Sequence, residues 1–125
     1  MASLDVEALL VQFFGGFGLR TFGGDLPPRF EETGPLPVVR VIALPGGELA
    51  RAWNGPRLAD RAEVDVDVFG ADDEQTADAA ARVQNLTEQL AGAGISVLRA
   101  PAFTRRPDWN DKIRRRGAVL TLATR

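Results

Sequence analysis

The chain contains no cysteine and no histidine, and these two absences remove most of the usual chemistry of small enzymes. Without cysteine there is no disulfide, no thiol nucleophile and no thiolate ligand for zinc. Without histidine the commonest general base and the commonest metal ligand are missing. The only serines, Ser3 and Ser96, have no histidine to activate them, which excludes a Ser-His-Asp triad. We therefore expect a protein that is not an enzyme and that binds no metal or cofactor.

Long apolar runs are also missing. No stretch approaches the roughly 18 apolar residues that a membrane-spanning helix needs. The start of the chain, Met1 to Asp5, lacks the basic flank of a signal peptide and becomes acidic at once. We therefore expect a protein made in a cytoplasm that does not bind membranes. A length of 125 residues with 45% hydrophobic residues predicts one domain, residues 1–125, with a core of its own.

Hydrophobic periodicity predicts two helices. The first runs from Leu4 to Phe14, with Ser3 as its N-cap and Gly15-Gly16 as its stop. The second runs from Ala71 to Ala91 behind an acidic first turn. The predicted apolar face of the first helix is formed by Val6, Leu10, Phe13 and Phe17. That of the second is formed by Thr76, Ala79, Val83, Leu86 and Leu90.

Two strands are clear in the sequence. Val38 to Leu44 is apolar on both faces except for Arg40, which predicts a central strand. Ala62 to Phe69 alternates valine with acid, so one face meets the core and the other meets water or a partner. Shorter strands are predicted at Phe17 to Phe22, Leu49 to Trp53, Ile95 to Leu98 and Gly117 to Thr124, with loops over the Pro-rich stretch from Leu26 to Pro37 and over Ala100 to Asp111. The order of elements predicts an α+β fold: a mixed or antiparallel sheet of about four to six strands packed against the N-terminal helix and one long central helix.

Two stretches only partly match binding motifs. Gly15-Gly16-Phe17-Gly18 lacks the third glycine of a dinucleotide fingerprint and follows a helix instead of a strand. The stretch that begins Asp65-Val66-Asp67 starts like a calcium loop, but Phe69 and Thr76 stand where oxygen ligands are required. An alternating strand explains this second stretch better.

Charge is unevenly distributed along the chain. The segment from Asp60 to Asp78 contains eight acids and one base, a local net charge of −7. The segment from Arg99 to Arg116 contains seven bases and two acids, a local net charge of +5. One interpretation is two solvated faces that keep the protein in solution. The other is that unlike patches of neighbouring copies meet head to tail, a contact that closes rings. On this second interpretation the subunit or partner interface contains Asp60, Glu63, Asp65, Asp67, Arg114, Arg115 and Arg116.

Trp53 and Trp109 both lie in polar segments flanked by proline or glycine. Either tryptophan could fold over the edge of the core. Otherwise each is the kind of aromatic anchor that dominates protein interfaces, so we include both among the candidate interface residues.

The chain also resembles a known family. An N-terminal helix opening with Asp5-Val6-Glu7-Ala8-Leu9-Leu10 leads through a Pro-rich loop to the strand Pro37-Val38-Val39-Arg40-Val41. The acidic alternating strand 62–70 then runs into an Ala-rich helix, followed by the loop Pro107-Asp108-Trp109-Asn110-Asp111, a basic run and a short final strand. This order is similar to that of the tail terminator, or tail completion, proteins of long-tailed bacteriophages, of the type found in actinobacterial phages. The strand followed by the Ala-rich helix is the most telling part.

The resemblance implies an α+β fold and a structural role in the virion. Members of the family form a hexameric ring that caps the head-proximal end of the tail tube, stops its polymerisation and joins it to the head-completion proteins. The implied partners are other copies of the chain, the tube protein and a head-completion or connector protein. DNA passes through the lumen without sequence-specific binding, and assembly takes place in the host cytoplasm. Arg105, Arg106 and Lys112 would lie on a loop that faces the tube or the lumen.

Two alternatives stay open at this point. The chain could be another head-tail connector or head-closure protein of a phage. It could also be a small α+β enzyme or ligand-binding module that uses carboxylates such as Asp65 and Asp67.

Overall fold

The computed structural model describes residues 6–44, 60–108 and 110–124. These ranges contain three helices: α1 (Val6–Gly16), α2 (Phe30–Thr33) and α3 (Asp73–Thr87), the last followed by a 3-10 turn at Leu90–Ala93. The same ranges contain six strands: β1 (Arg20–Gly23), β2 (Val38–Leu44), β3 (Asp60–Gly70), β4 (Ile95–Arg99), β5 (Thr104–Arg106) and β6 (Arg114–Thr124). The α+β fold predicted from the sequence is confirmed.

The strands form one mixed sheet in the order β1-β2-β3-β6-β4, with β5 also paired to β6. Only β1 and β2 run parallel; the other described pairs are antiparallel. The two 11-residue strands β3 and β6 lie side by side at the centre, so their side chains have neighbours on both sides. From this position β3 contacts β2, β6 and both long helices.

The core lies between one face of the sheet and the two long helices. Val64, Val66 and Val68 of β3 are fully buried on this face, beside Leu120 and Leu122 of β6. Helices α1 and α3 both pack over this face, and their buried side chains belong to the same hydrophobic cluster as the valines. Burying these side chains stabilises the fold by roughly 1.5–3 kcal/mol for each large aliphatic residue.

Helix α3 matches its prediction closely. The Asp72 carboxylate caps it by accepting a hydrogen bond of 2.7 Å from the Gln75 amide. All five residues of the predicted apolar stripe are buried: Thr76, Ala79, Val83, Leu86 and Leu90. The helix ends at Thr87 instead of Ala91, because the chain tightens into the 3-10 turn before Gly94 takes a positive φ of 84°.

The apolar face predicted for α1 is partly wrong. Val6 and Leu10 are buried as expected, but the third buried residue is Phe14. Phe13 is only half-buried, and Phe17 is 40% exposed because the helix has already ended at Gly16. The spacing Val6, Leu10, Phe14 keeps a strict i, i+4 step, which holds all three side chains over the sheet.

Three other elements differ from the prediction. Helix α2 lies in the Pro-rich stretch predicted to be irregular, and β5 lies inside the predicted loop from Ala100 to Asp111. Strand β6 begins at Arg114 instead of Gly117, so the basic run is part of an internal strand. The predicted N-cap Ser3 and the predicted strand from Leu49 to Trp53 lie outside the described residues.

Candidate functional site: a buried aspartate bound by three arginines

The polar face of β3 carries the most unusual feature of the molecule. Asp65 and Asp67 point to the side of the sheet opposite the valines, because successive side chains alternate along a strand. In the sheet register Asp67 lies between Arg40 of β2 and Gly117 of β6. Arg115 and Arg106 are cross-strand partners of each other on β6 and β5. The topology therefore brings three arginines from three strands to one aspartate.

The Asp67 carboxylate accepts hydrogen bonds from all three guanidinium groups. Arg40 donates to Oδ2 at 2.6 Å, and Arg106 donates to Oδ1 at 2.9 Å. Arg115 binds in bidentate fashion, with Nε 3.0 Å from Oδ1 and Nη2 2.8 Å from Oδ2. Arg106 also donates to Oδ1 of Asp65 at 2.6 Å. Charge-assisted contacts of this length and bidentate geometry are the strong class of hydrogen bond. We call these five residues, Arg40, Asp65, Asp67, Arg106 and Arg115, the arginine cluster.

Burial and charge act in opposite directions on Asp67. Its side chain is 0% exposed, and this burial alone would raise the pKa of the carboxyl group. Hydrogen bonds from Arg115 and Arg40, together with the charges of Arg115 and Arg106, outweigh burial and hold the pKa below its usual 3.8. Burial would likewise lower the pKa of Arg106, but its contacts with Asp65 and Asp67 raise it. Asp67 and Arg106 are therefore both ionised at neutral pH.

Two aromatic rings cover the cluster. The Arg40 and Arg115 guanidinium groups each lie 5.4 Å from the centroid of the Phe69 ring, within the range of a cation–π contact. Phe30 of α2 packs edge-on against Phe69 at a centroid distance of 5.5 Å. Helix α2 is itself held by Arg20, which donates to the Phe30 carbonyl at 2.8 Å. Arg40 Nε is buried and has no hydrogen-bond partner among the described residues.

Gly117 provides the space that the cluster needs. A Cβ atom at this position would lie 2.7 Å from Arg106 Nη1 and 2.8 Å from the Val66 carbonyl oxygen, and it would collide with Asp67 Oδ1. Because one of these obstacles is backbone, no side-chain rotation relieves the clash. The glycine at the start of the predicted last strand is therefore needed for the close approach of Asp67 and Arg106.

The cluster is poorly suited to proton transfer. A general base works best with a pKa near the operating pH, whereas the pKa of Asp67 lies even further below 7 than that of an ordinary carboxyl group. Both Asp65 and Asp67 are engaged by guanidinium groups of the same chain. The ion pairs of the cluster link β2, β3, β5 and β6 on the face of the sheet that the two long helices leave uncovered.

A basic pocket adjoins the cluster. It has a volume of about 390 Å³ and lies between the start of α3 and the segment that joins β5 to β6. Its lining contains five arginines and three aspartates, a net charge of +2. The charged lining residues are Arg105, Arg106, Arg114, Arg115, Arg116, Asp73, Asp108 and Asp111.

An acidic groove lies on the other flank of α3. It has a volume of about 440 Å³ and runs between the first half of α3 and Leu19 and Pro37. Three acids and one base line it, a net charge of −2. The charged lining residues are Asp72, Glu74, Asp78 and Arg82.

The acidic residues predicted to lie at an interface occupy three different environments. Asp67 is fully buried and engaged inside its own chain, so the prediction that it faces a partner is wrong. Asp65 is about 20% exposed and is paired with Arg106. Glu63 is exposed. Asp60 begins β3, and its side chain is outside the described set.

The basic residues predicted to lie at an interface or to face a tube or lumen also occupy different environments. Arg115 belongs to the arginine cluster and lies inside β6, upstream of Gly117, where the last strand was predicted to begin. Arg114 is exposed and donates to the Asp111 carbonyl at 2.9 Å, while Arg116 is half-buried. Of the residues predicted to face a tube or lumen, Arg106 is in the cluster, and Arg105 and Lys112 are exposed. Trp53 and Trp109 lie outside the described residues.

Sequence reasoning missed Arg40, Gly117 and the acids of α3 as parts of these sites. Arg40 carried a usable signal, since it is the one charged residue in an otherwise apolar strand. A charge that must be buried needs an opposite charge nearby. Gly117 had no comparable signal, because its role depends on a register with β3 that the sequence does not display.

Within the described ranges 6–44, 60–108 and 110–124, no group of three or more acidic side chains is arranged to hold a metal ion, and no helix has the length and apolarity to cross a bilayer. No protein-family model matches the chain, and no curated protein matches its sequence.

Proposed function

We propose that this chain is a structural protein of a long-tailed bacteriophage and forms a ring at the head-proximal end of the tail tube. The ring, of six copies, stops polymerisation of the tube protein and provides the joint to a head-completion protein. DNA passes through its lumen without sequence-specific contacts. The protein then resides in the virion at the head-tail junction, after assembly in the host cytoplasm.

The observation that carries the proposal is the unit formed by β3 and α3. In the sequence, the acidic strand followed by an Ala-rich helix is the part most similar to tail terminators. In the structure, β3 ends at Gly70 and α3 begins at Asp73; β3 lies at the centre of the sheet, and α3 packs against β3 and β6. The α+β architecture agrees with what the resemblance implies.

The arginine cluster supports a structural role in a second way. The alternative of a small enzyme depended on free carboxylates at Asp65 and Asp67. Both are held by guanidinium groups, and Asp67 is inaccessible to a ligand because its side chain is fully buried. A sheet tied by such contacts on one face and packed on helices on the other is a rigid scaffold, and rigid scaffolds suit subunits that must present fixed surfaces.

Addition of the purified chain to polymerising tail tube protein tests the proposal. A terminator binds the growing end, so tubes stay short in its presence and carry an extra ring at one end in electron micrographs. The matched control is Glu88→Arg, which changes an exposed charge at the end of α3, outside both the basic pocket and the acidic groove. It should restrict tube length as the wild type does.

Two outcomes would count against the proposal. If tubes grow equally long with and without the chain, it does not terminate them. If the chain leaves tube growth unchanged but binds a head-completion or portal protein, the alternative of another head-tail connector replaces the terminator assignment.

A further inference from the structure

The segment that joins β1 to β2 contains helix α2 and crosses the face of the sheet that the two long helices leave uncovered. Both of its ends are fixed. The Gly24 amide donates to the Val41 carbonyl at 2.9 Å, and the Leu36 carbonyl accepts from Gln75 Nε2 at 3.1 Å. We call the residues between these two points, 25–35, the strap. The four residues of α2 are all partly or fully exposed, so the strap has little packing of its own.

One side chain from another part of the fold, Arg20 of β1, makes the hydrogen bonds that hold the strap. Its Nη1 donates to the carbonyl oxygens of Phe30 and Pro35 at 2.8 and 3.3 Å, and its Nη2 donates to Thr33 Oγ1 at 3.2 Å. The bonds to Pro35 and Thr33 are exposed to water. Among the hydrogen bonds of the described residues, these three are the ones that join the strap to another element. The attachment of the strap therefore depends on Arg20.

Gly34 allows the Arg20 guanidinium group to lie directly against the strap. A Cβ atom at position 34 would lie 2.6 Å from Arg20 Cζ, and 2.8 and 2.9 Å from the two Nη atoms. These obstacles form the end of a flexible side chain and are not backbone. An alanine at this position would therefore displace the guanidinium group from its acceptors and leave the sheet as it is.

The strap lies over one row of register partners in the sheet. Arg20 of β1 pairs with Val38 of β2, which pairs with Phe69 of β3; Phe69 pairs in turn with Arg115 of β6. Register partners have their side chains on the same face. Arg20 holds the strap on one side of Val38, and Phe30 contacts Phe69 on the other, so Val38 lies beneath the strap. Val38 and Phe69 are 0% and 2% exposed, although neither belongs to the core cluster on the opposite face.

Closure of the strap has two opposing effects on stability. It removes Val38 and Phe69 from water, which favours the closed form. It also keeps water from the Arg40 and Arg115 guanidinium groups, which lie against the Phe69 ring, and withdrawal of charges from water disfavours the closed form. Arg40 Nε, which is buried without a hydrogen-bond partner among the described residues, is a donor that water would reach in the open form. The two effects partly cancel.

Backbone strain acts against the closed form as well. Arg29, which precedes α2, has a φ of 55° and a ψ of 38°, in the left-handed region that residues other than glycine enter at a cost. The closed strap carries this cost, whereas an open strap can leave that region. Segments with few buried contacts open at a lower free energy than the domain as a whole.

We propose that the strap opens as a unit while the rest of the fold stays intact, and that Arg20 sets the balance between the closed and open forms. Opening uncovers the Phe69 ring together with the guanidinium groups of Arg40 and Arg115. The strap is therefore a conformational device that controls access to a surface combining an aromatic ring with positive charge. The proposed function does not require this device.

Thiol labelling measures the opening directly, because the chain has no cysteine and an introduced thiol is unique. Val38→Cys places a thiol beneath the strap, and the matched variant Val66→Cys places one in the core between the sheet and the long helices. Both positions are 0% exposed in the folded protein. With iodoacetamide, the thiol beneath the strap should react at least about tenfold faster than the core thiol, because the first needs only local opening and the second needs unfolding of the domain.

Removal of the Arg20 contacts should speed the first reaction alone. Arg20→Met keeps most of the length of the side chain and removes all three hydrogen bonds to the strap. It should raise the labelling rate of Val38→Cys by at least about tenfold and leave that of Val66→Cys almost unchanged. Gly34→Ala should act in the same direction by displacing Arg20. The control Gly92→Ala, whose added methyl group would meet no atom within 4 Å, should change neither rate.

Equal labelling rates for the two thiols in the otherwise unchanged chain would overturn the inference, because Val38 would then be reached only when the whole domain unfolds. The inference also fails if Arg20→Met speeds both reactions by the same factor or speeds neither. These outcomes do not depend on whether the chain limits the length of a tail tube.

Discussion

Replacing Asp67 by asparagine should destabilise the protein far more than the same change at Asp65, its neighbour on the same face of β3. Asp67 is 0% exposed and accepts four hydrogen bonds from three arginines, whereas Asp65 is about 20% exposed and contacts one. Asp67→Asn keeps the volume of the side chain but leaves three guanidinium groups around a neutral amide whose nitrogen cannot accept. Removing one partner of a buried ion pair costs about 3–5 kcal/mol, while loss of a pair nearer the surface costs about 1 kcal/mol or less.

Urea unfolding followed by circular dichroism measures this difference. For a small domain the free energy of unfolding falls by about 1–3 kcal/mol per molar urea, so a loss of about 3–5 kcal/mol in Asp67→Asn should lower the midpoint by about 1 M or more. Asp65→Asn is the control and should lower it by well under half as much. Equal shifts for the two variants would refute the conclusion that Asp67 holds the strands of the cluster together.

Three further predictions concern unfolding at low pH, an added methyl group at Gly117 and the removal of either tryptophan side chain. Because the pKa of Asp67 in the folded protein lies below 3.8, the contribution of Asp67 to stability is complete above that pH and is lost as the pH falls further. Urea unfolding at a series of acidic pH values should therefore show this loss of stability in the wild type and not in Asp67→Asn. Gly117→Ala should lower the free energy of unfolding, measured in urea, by about 1–3 kcal/mol. The control Gly15→Ala should leave this free energy unchanged or raise it, because Gly15 is helical and an added methyl group would meet no atom within 4 Å. Similar values for the two variants would contradict the packing argument. Trp53→Ala or Trp109→Ala should weaken binding to the tube end by about 2 kcal/mol if that tryptophan is an anchor, and unchanged tube lengths with both variants would remove them from the interface.

The elements that the sequence predicted best are those whose pattern is set by the core. The valines of β3 and the stripe of α3 recur at spacings of two and of three to four residues, because one face of each element is buried against the other. Strand β2 was equally clear. In these cases local pattern and tertiary environment agree, so the sequence alone is enough.

The elements that were missed depend on distant parts of the chain. Strand β5 is three residues long between Pro101 and Pro107, and only its pairing with β6 makes it a strand. The first residues of β6 are three consecutive arginines, which hide the alternation that the structure reveals: Arg115 points to Asp67, while Arg116 lies opposite Arg105 on the other face.

The candidate site shows the same limit. The alternation in β3 correctly placed Asp65 and Asp67 on the face away from the valines, but it assigned that face to water or a partner. Asp67 is buried there because arginines from β2, β5 and β6 reach it across the sheet, at sequence separations of 27 to 48 residues. A local pattern reports which side of a strand is polar and does not report what covers it.

The length of tails in virus particles assembled without this chain is the measurement that tests the proposed function most directly. A tube grows by adding identical rings, so without a different subunit at its end nothing limits its length. The terminator assignment predicts tails of widely varying length that are not joined to heads when such particles are imaged by electron microscopy. Tails of uniform, normal length attached to heads would contradict it.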